Sequence, residues 1–168
     1  MRNFVKGLKK FSDDYACPVL GGDLSKGKQQ NVAVTVCGAI DQENFMSRDG
    51  AKIGDQVFVT GTLGLAKQGL TILKSNPKEI DLSSKNVSKF INPSLNFKFG
   101  QAISSYATSC IDVSDGFISD LGHICQASRV GASIDSDLIP IYGELEDALT
   151  WGDDYELCFT APSKAQSD

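Results

Sequence analysis

Apolar residues along this chain are spaced in two ways, with a helical period in some segments and a strand period in others. Over residues 2–15 an apolar side chain recurs every three to four positions, which predicts a helix. Over residues 31–40 the valines stand at every second position instead, which predicts a strand with two usable faces.

The same two patterns predict the remaining elements. Further strands are predicted at residues 18–20, 56–60, 109–111, 130–134 and 155–160. Further helices are predicted at residues 64–74, 95–106, 117–125 and 142–149. Residues 75–93 are polar and are expected to connect two helices. Because strands and helices alternate, we expect an α/β fold or its α+β variant.

Composition and charge narrow the class of partner. The 168-residue chain is 41% hydrophobic, enough to bury an ordinary core, and its net charge of -5 makes nucleic acid or an anionic membrane an unexpected main partner. An anionic substrate would need metal ions or local cations. The five cysteines are scattered without a CxxC pair, so we expect reduced core thiols and no zinc site. With no signal peptide or membrane span in the sequence, we expect a cytoplasmic protein.

The most informative segment is Ile111–Phe117, where a short apolar run meets a helical pattern. Asp112 and Asp115 flank the hydroxyl of Ser114, and Gly116 follows directly. Two carboxylates at a strand end are suited to holding Mg²⁺, while the N–H groups of the following helix can hold a phosphate. Alternatively, Ser114 or Asp115 simply caps that helix.

Other candidate sites are weaker. Residues 22–28 match the phosphate-loop pattern GxxxxGK, but Gln29 replaces the serine or threonine that should bind Mg²⁺. His123 is the only histidine, and we expect it to have a surface or packed structural role. Acidic turns next to glycines recur at Asp23 and at Asp153–Asp154 as well as at the Asp112 segment. Glycines at these places allow a close backbone approach to a ligand.

Five glycine-containing segments, four of which also contain aspartate, carry a family resemblance. They are Leu20–Asp23, Ser47–Asp55, Val57–Gly64, Ile111–Ile124 and Trp151–Phe159. In order and spacing these segments resemble the thiamine-monophosphate kinase family, within the aminoimidazole ribonucleotide synthetase-like ATP-binding superfamily. Sister families carry a glycine-richer form of the Asp112 segment, so the resemblance favours this branch.

The resemblance implies an ATP- and Mg²⁺-dependent kinase that converts thiamine monophosphate to thiamine diphosphate. Catalysis would rest on positioning and on metal ions rather than on a nucleophile of the protein. Three positions of the first half are implied as ligands. Gly22 and Asp23 would contact ATP and Mg²⁺, and Arg48 would bind the nucleotide phosphates.

Four positions of the second half are implied as well. Asp112 and Asp115 would bind Mg²⁺ and support the reaction electrostatically, and Ser114 would contact ATP. Asp153 would lie on the thiamine side of the site. The family has a glutamate at that position, one methylene longer than Asp153, and a glycine in place of Trp151.

The resemblance also implies a domain plan. Residues 41–54 are polar and rich in turns, and we place a boundary near residue 47. Residues 1–47 would be the C-terminal part of an ATP-binding and dimerisation domain. Residues 48–168 would be a second α/β domain with a mixed sheet, incomplete at its C-terminus. We expect the chain to be a kinase fragment, inactive alone and prone to self-association or homodimerisation. The alternatives are a non-catalytic fragment that binds nucleotide and Mg²⁺ weakly, or another ATP-using member of the superfamily.

Overall fold

The computed structural model of the protein describes residues 2–75 and 77–163. It contains both helices and a β-sheet, which confirms the mixed α/β class. Two compact units make up the chain, Met1–Gly38 and Ala39–Asp168. The division into residues 1–47 and 48–168 stays a prediction.

The first unit contains one helix, α1 (Arg2–Asp14), as the periodicity predicts. None of the α1 residues is buried, and its apolar face remains exposed. Two ion pairs four residues apart, Lys9–Asp13 and Lys10–Asp14, stabilise its polar face.

The strand predicted over residues 31–40 is not formed, and neither is the strand predicted over residues 18–20. Val34 and Val36 of the first segment are 64% and 71% exposed. An isolated strand cannot pair its backbone N–H and C=O groups, and within the described residues no neighbouring strand pairs with either segment. The predictions were therefore wrong for the structure of this chain.

The second unit is built on a three-stranded sheet. The strands are β1 (Asp55–Val59), β2 (Ser109–Asp112) and β3 (Leu157–Pro162). β3 lies between the other two and pairs antiparallel with both, with Val57 opposite Thr160 and Ile111 opposite Cys158. Among the described residues, the parallel component of the expected mixed sheet is limited to one isolated bridge between Leu63 and Ile141. The strand predicted at 130–134 is absent, because these residues find no pairing partner in the described structure.

The described part of the second unit also contains five α-helices. They are α2 (Leu65–Ser75), α3 (Lys85–Ile91), α4 (Phe97–Ile103), α5 (Phe117–Ser128) and α6 (Leu145–Thr150). Four of them match the predicted helices, whereas α3 falls in the segment expected to be a connection. Val87, Phe90 and Ile91 of α3 do stand at helical spacing, but this short run lies within an otherwise polar segment, which is why the helix was missed. No helix among the described residues is long and apolar enough to cross a membrane.

The main core lies between the sheet and α5. Its buried members are Ala51, Leu63, Ile111, Val113, Phe117, Leu121, Ile124, Ala148 and Cys158. A smaller core on the other side of the sheet joins Ile103, Phe159 and Ala161, with Phe58 stacked on Phe159 at 5.1 Å between ring centroids. The core therefore holds β2 and the start of α5 together, and these two elements flank the Asp112 segment.

Ile124→Ala should lower the free energy of unfolding by about 2–5 kcal/mol, because Ile124 is fully buried and the substitution leaves a cavity. Ile118→Ala on the same helix is the matched control, since Ile118 is 46% exposed and its truncation should change stability by no more than about 0.5 kcal/mol. Urea unfolding followed by tryptophan fluorescence measures both. Equal effects of the two substitutions would contradict this placement of the core.

Candidate functional site

The candidate site centres on residues 112–116, here called the motif loop, which joins β2 to α5. Asp112 ends β2 with an exposed side chain, and Asp115 is exposed as well. Gly116 precedes α5 with φ of 117°, and a Cβ there would press on the carbonyl group of Thr150. This backbone conformation is one that glycine adopts readily, so the loop can turn sharply and leave both carboxylates open to solvent.

The backbone of the motif loop is hydrogen-bonded to Asp120 of α5, a residue that the sequence did not single out. The Asp120 side chain is 2% exposed, and its Oδ2 accepts hydrogen bonds from the backbone N–H groups of Ser114 and Asp115, both at 3.0 Å. Neither Ser114 nor Asp115 makes a side-chain bond to α5 within the described structure. Asp120 therefore holds the backbone of the motif loop ahead of α5, and the N-cap position of α5, Gly116, makes no side-chain cap.

A second loop, residues 151–156, lies against the motif loop and is here called the acidic loop. The N–H of Val113 donates to the Glu156 carbonyl at 2.7 Å, and the N–H of Tyr155 donates back to the Val113 carbonyl at 2.9 Å. The N–H of Asp153 donates to the Ser114 carbonyl at 3.0 Å. The structure thus brings the backbone of Asp153 next to Ser114, in the loop that begins at Asp112.

Gly152 makes this contact possible. A Cβ on Gly152 would overlap the carbonyl oxygen of Ser114. Asp153, which follows, has φ of 65° in the left-handed region, and aspartate tolerates this conformation better than most residues. The half-buried Asp153 side chain is therefore presented from a tightly constrained backbone.

Asp154 has a different environment from Asp153. It is fully buried, and its two carboxylate oxygens accept hydrogen bonds from the N–H groups of Gly64 at 2.7 Å and Ala66 at 3.0 Å. These groups belong to the first turn of α2, where backbone donors lack intrahelical partners. Burial raises the pKa of Asp154, and the two N–H bonds act against that shift. Asp154 is thus a cap for α2, supplied from a distant part of the chain.

Arg48 and Asp112 line the same cleft, which has a volume of about 650 Å³. Its walls are Phe45, Met46, Ser47, Arg48, Asp49, Cys110, Ile111, Asp112 and Leu157. The backbone at Arg48 is fixed because its carbonyl accepts from the Ser128 hydroxyl at 3.1 Å. A guanidinium and a carboxylate in one cleft can hold a phosphate and a cation side by side.

A neighbouring cleft of about 770 Å³ shares Asp112 and Leu157 with the first and adds Tyr155 of the acidic loop. Asp112 therefore lies where two open spaces meet. The remaining predicted ligands, Gly22 and Asp23, are exposed in the first unit, where the Ser25 hydroxyl donates to Asp23 at 3.3 Å.

Within the described residues, one group of side chains has the spacing of a metal site. One ligand atom each from Asp115, Asp120 and His123 lies within 4.8 Å of the others. His123 is exposed, in line with the surface role expected for it. Asp112 is not part of this group.

The cysteines contribute no reactive thiolate at this site. All five are free. Burial raises the pKa of Cys110 to about 11 and that of Cys158 to about 12, so both thiols stay protonated at neutral pH. Cys37 is exposed, which corrects the expectation of core thiols at that position.

Comparison with known proteins gives consistent matches. The family model described as AIR synthase related protein, C-terminal domain, matches residues 52–165. Thiamine-monophosphate kinase of Aquifex aeolicus (strain VF5) is 33% identical, covering 98% of this chain and 57% of that protein. The enzyme of the same name from Escherichia coli (strain K12) is 38% identical over 92% of this chain and 53% of its own length. The chain thus spans about half the length of the curated relatives it matches.

Solved structures agree with the sequence matches. The crystal structure of thiamine-monophosphate kinase from Stenotrophomonas maltophilia K279a aligns with a TM-score of 0.69 and 32% identity, over 76% of this chain and 46% of that one. The structure of AaThiL complexed with AMPPCP and TMP aligns with a TM-score of 0.67 and 33% identity, over 71% of this chain and 43% of that one.

Asp154→Asn should destabilise the protein by about 1–3 kcal/mol, because an asparagine side chain cannot accept from both Gly64 and Ala66. The loss should depend on pH. A carboxyl whose pKa is raised by folding stabilises the fold most below its ordinary value of 3.8, and this contribution is lost as the pH rises through the higher folded pKa. The deficit of the variant should therefore shrink between pH 4 and pH 7.

Urea unfolding at several pH values checks this expectation, with Asp137→Asn as the control for an exposed aspartate. A deficit that grows with pH would mean that burial is not the dominant influence on Asp154.

Proposed function

The chain belongs to the AIR synthase-related protein family through the C-terminal domain it carries, and on this premise we propose that it is part of a kinase that phosphorylates thiamine monophosphate with ATP. The observation that carries the proposal is the similarity to thiamine-monophosphate kinases along 98% of the chain. Asp112 and Asp115 are exposed on the motif loop, and Asp112 lines the same cleft as Arg48, an arrangement suited to that chemistry. The product would be thiamine diphosphate.

Phosphoryl transfer needs charge neutralisation and alignment more than a protein nucleophile. The donor set here fits Mg²⁺, because Asp112 and Asp115 offer exposed carboxylate oxygens, the ligands that this ion prefers. Mg²⁺ bound there would neutralise charge on the transferring phosphoryl group. Asp120 holds the N–H groups of Ser114 and Asp115 and so fixes the direction of the loop.

The candidate residues then make distinct contacts. Arg48 binds nucleotide phosphates in the cleft that it shares with Asp112. Ser114 contacts ATP from the motif loop, and in the first unit Gly22 and Asp23 contact ATP and Mg²⁺.

Asp153 contributes the contact to thiamine monophosphate. Its backbone is bound to Ser114, so substrate and nucleotide contacts come from two loops held together by hydrogen bonds.

The chain alone supplies only part of this machinery. It spans about half of its relatives, and the first unit contributes a single candidate metal ligand, Asp23. We therefore propose that the isolated 168-residue chain binds nucleotide and Mg²⁺ weakly and turns over little or no substrate. We also assign it to the cytoplasm, where ATP and reduced thiols are found.

The apolar surface of residues 1–47 supports self-association, most simply as a homodimer. Phe4 and Phe11 of α1 are 39% and 40% exposed, and the valines of residues 31–40 are exposed as well. Exposed large apolar side chains in such number are typical of a surface that a partner covers.

The kinase proposal is tested with a chimera in which this chain replaces the matching part of the Aquifex aeolicus relative. The chimera should release ADP from ATP only when thiamine monophosphate is present. Asp112→Ala should lower the rate at least about 10²-fold, the scale seen when one preorganised electrostatic element is lost. Asp137→Ala, at an exposed aspartate outside the site, should leave the rate unchanged.

A coupled assay for ADP follows the reaction, and thiamine diphosphate is confirmed by mass spectrometry. ADP release that ignores thiamine monophosphate would overturn the substrate assignment. An unaffected Asp112→Ala chimera would remove Asp112 from the metal site.

Self-association is tested by light scattering on the purified chain. The molar mass should rise above the 18.0 kDa of the monomer as concentration increases. Phe4→Ser combined with Phe11→Ser should restore the monomer, whereas Ile53→Ser, at a side chain 95% exposed in the second unit, should not. A monomer at every concentration would count against the proposal.

A further inference from the structure

The second unit contains a buried ion pair that the proposed reaction does not use. Lys89 of α3 and Glu156 of the acidic loop are each 8% exposed at the side chain, and Nζ of Lys89 lies 2.5 Å from Oε1 of Glu156. Burying two charges carries a desolvation cost that their attraction need not recover, and such pairs can often be replaced by apolar residues without loss of stability. The presence of this pair is therefore poorly explained by stability alone.

Glu156 is held from several elements at once. Its Oε2 accepts from the Thr60 hydroxyl at 2.5 Å, just after β1, and from the Asn96 amide at 3.0 Å, just before α4. Thr60 in turn accepts from the N–H of Leu157 at 2.9 Å. Together with Lys89 on α3, these donors determine the direction of the Glu156 side chain.

The backbone of the same residue reaches the candidate site. The Glu156 carbonyl accepts from Val113, and the preceding Tyr155 donates to Val113. Val113 lies between Asp112 and Ser114, and its own side chain is fully buried. A shift of Glu156 would therefore move the two loops relative to each other.

We propose that Lys89 is a positioning residue, which through Glu156 fixes the acidic loop against the motif loop and so fixes where Asp112 and Asp153 present their carboxylates. Lys89 touches no substrate. The claim that Lys89 places the carboxylates for the reaction rests on the proposed function of Asp112 and Asp153. The claim that Lys89 holds the two loops together does not.

The test uses the double variant Lys89→Met/Glu156→Gln in the full 168-residue chain. It removes both charges, while the glutamine that replaces Glu156 can still bond to Thr60 and Asn96. We expect the urea midpoint to stay at or above that of the parent. We expect the amide hydrogens of Val113 and Tyr155 to exchange with solvent at least about 10-fold faster, a change of about 1.4 kcal/mol in the opening free energy. The amide of Thr108, which donates to Thr160 at the far end of β3, serves as the internal reference and should not change.

Unchanged exchange at Val113 and Tyr155 in the double variant would overturn the proposal. Where the double variant does not fold, Glu156→Gln alone, which removes the charge of the carboxylate and can keep the bonds to Thr60 and Asn96, should give the same faster exchange at Val113, and unchanged exchange there would overturn the proposal. Asn96→Ala gives a separate comparison. It removes a neutral partner of Glu156 and keeps the ion pair, so Val113 exchange should stay close to that of the parent. An increase there as large as the one expected for the double variant would show that the ion pair is not what holds the loops.

The exposed pair Lys9–Asp13 provides the matched control. Lys9→Met/Asp13→Asn should alter neither Val113 nor Tyr155. A change at these two amides in this control would overturn the assignment to Lys89 and Glu156.

A second readout separates this inference from the proposed function. Added Mn²⁺ should broaden the amide resonances of Ser114 and Asp115 in the parent, and less so in the double variant. Absence of broadening in the parent would count against the metal site and thus against the proposed function. The rates of amide hydrogen exchange at Val113 and Tyr155, compared between the double variant and the parent, would still decide the role of Lys89.

Discussion

The candidate site depends on a pair of backbone hydrogen bonds between Val113 and residues 155 and 156. They continue the pairing of β2 with β3 beyond the last regular residues of both strands. The motif loop follows β2 and the acidic loop precedes β3. The two loops remain in contact through Asp153 and Ser114. Because the side chain of Val113 is buried in the main core, the packing of the whole unit fixes the position of this contact.

The acidic residues around this contact fall into two groups with different physical roles. Asp120, Asp154 and Glu156 are buried, and each accepts two or more hydrogen bonds, Asp120 from the adjacent motif loop and the other two from distant parts of the chain. Asp112 and Asp115 are exposed. Buried carboxylates are costly unless they are fully bonded, so the first group is committed to structure. The second group is open to solvent, and its carboxylates are the residues to which we assign the cation in the proposed function.

The first unit, in contrast, leaves most of its apolar side chains exposed. Its helix buries none of its residues, and its alternating valines have no strand to pair with among the described residues. The family relatives are about twice as long as this chain. Exposed apolar side chains at regular spacing are typical of a surface that a partner covers. We base the proposed self-association on this feature.

Local chemistry was sufficient to predict the elements that the site is built from. Helical spacing in α1, α2 and α5, the glycine at position 116 and the apolar run before Asp112 can be read from neighbouring residues, because helix periods and turn conformations are local properties. The prediction of a strand at residues 31–40 was wrong, because a strand forms only when another strand pairs with its backbone. Asp120, Asp154 and Glu156 look like ordinary acidic residues in the sequence. Tertiary structure alone decided that Asp120 holds the motif loop, that Asp154 caps a helix 88 residues away at Ala66, and that Glu156 pairs with Lys89 across the fold. The roles of Asp154 and Glu156 depend on partners that are remote in the chain, which no local pattern encodes. Asp120 bonds to residues five and six positions earlier, and its role depends on the burial that the tertiary structure gives it.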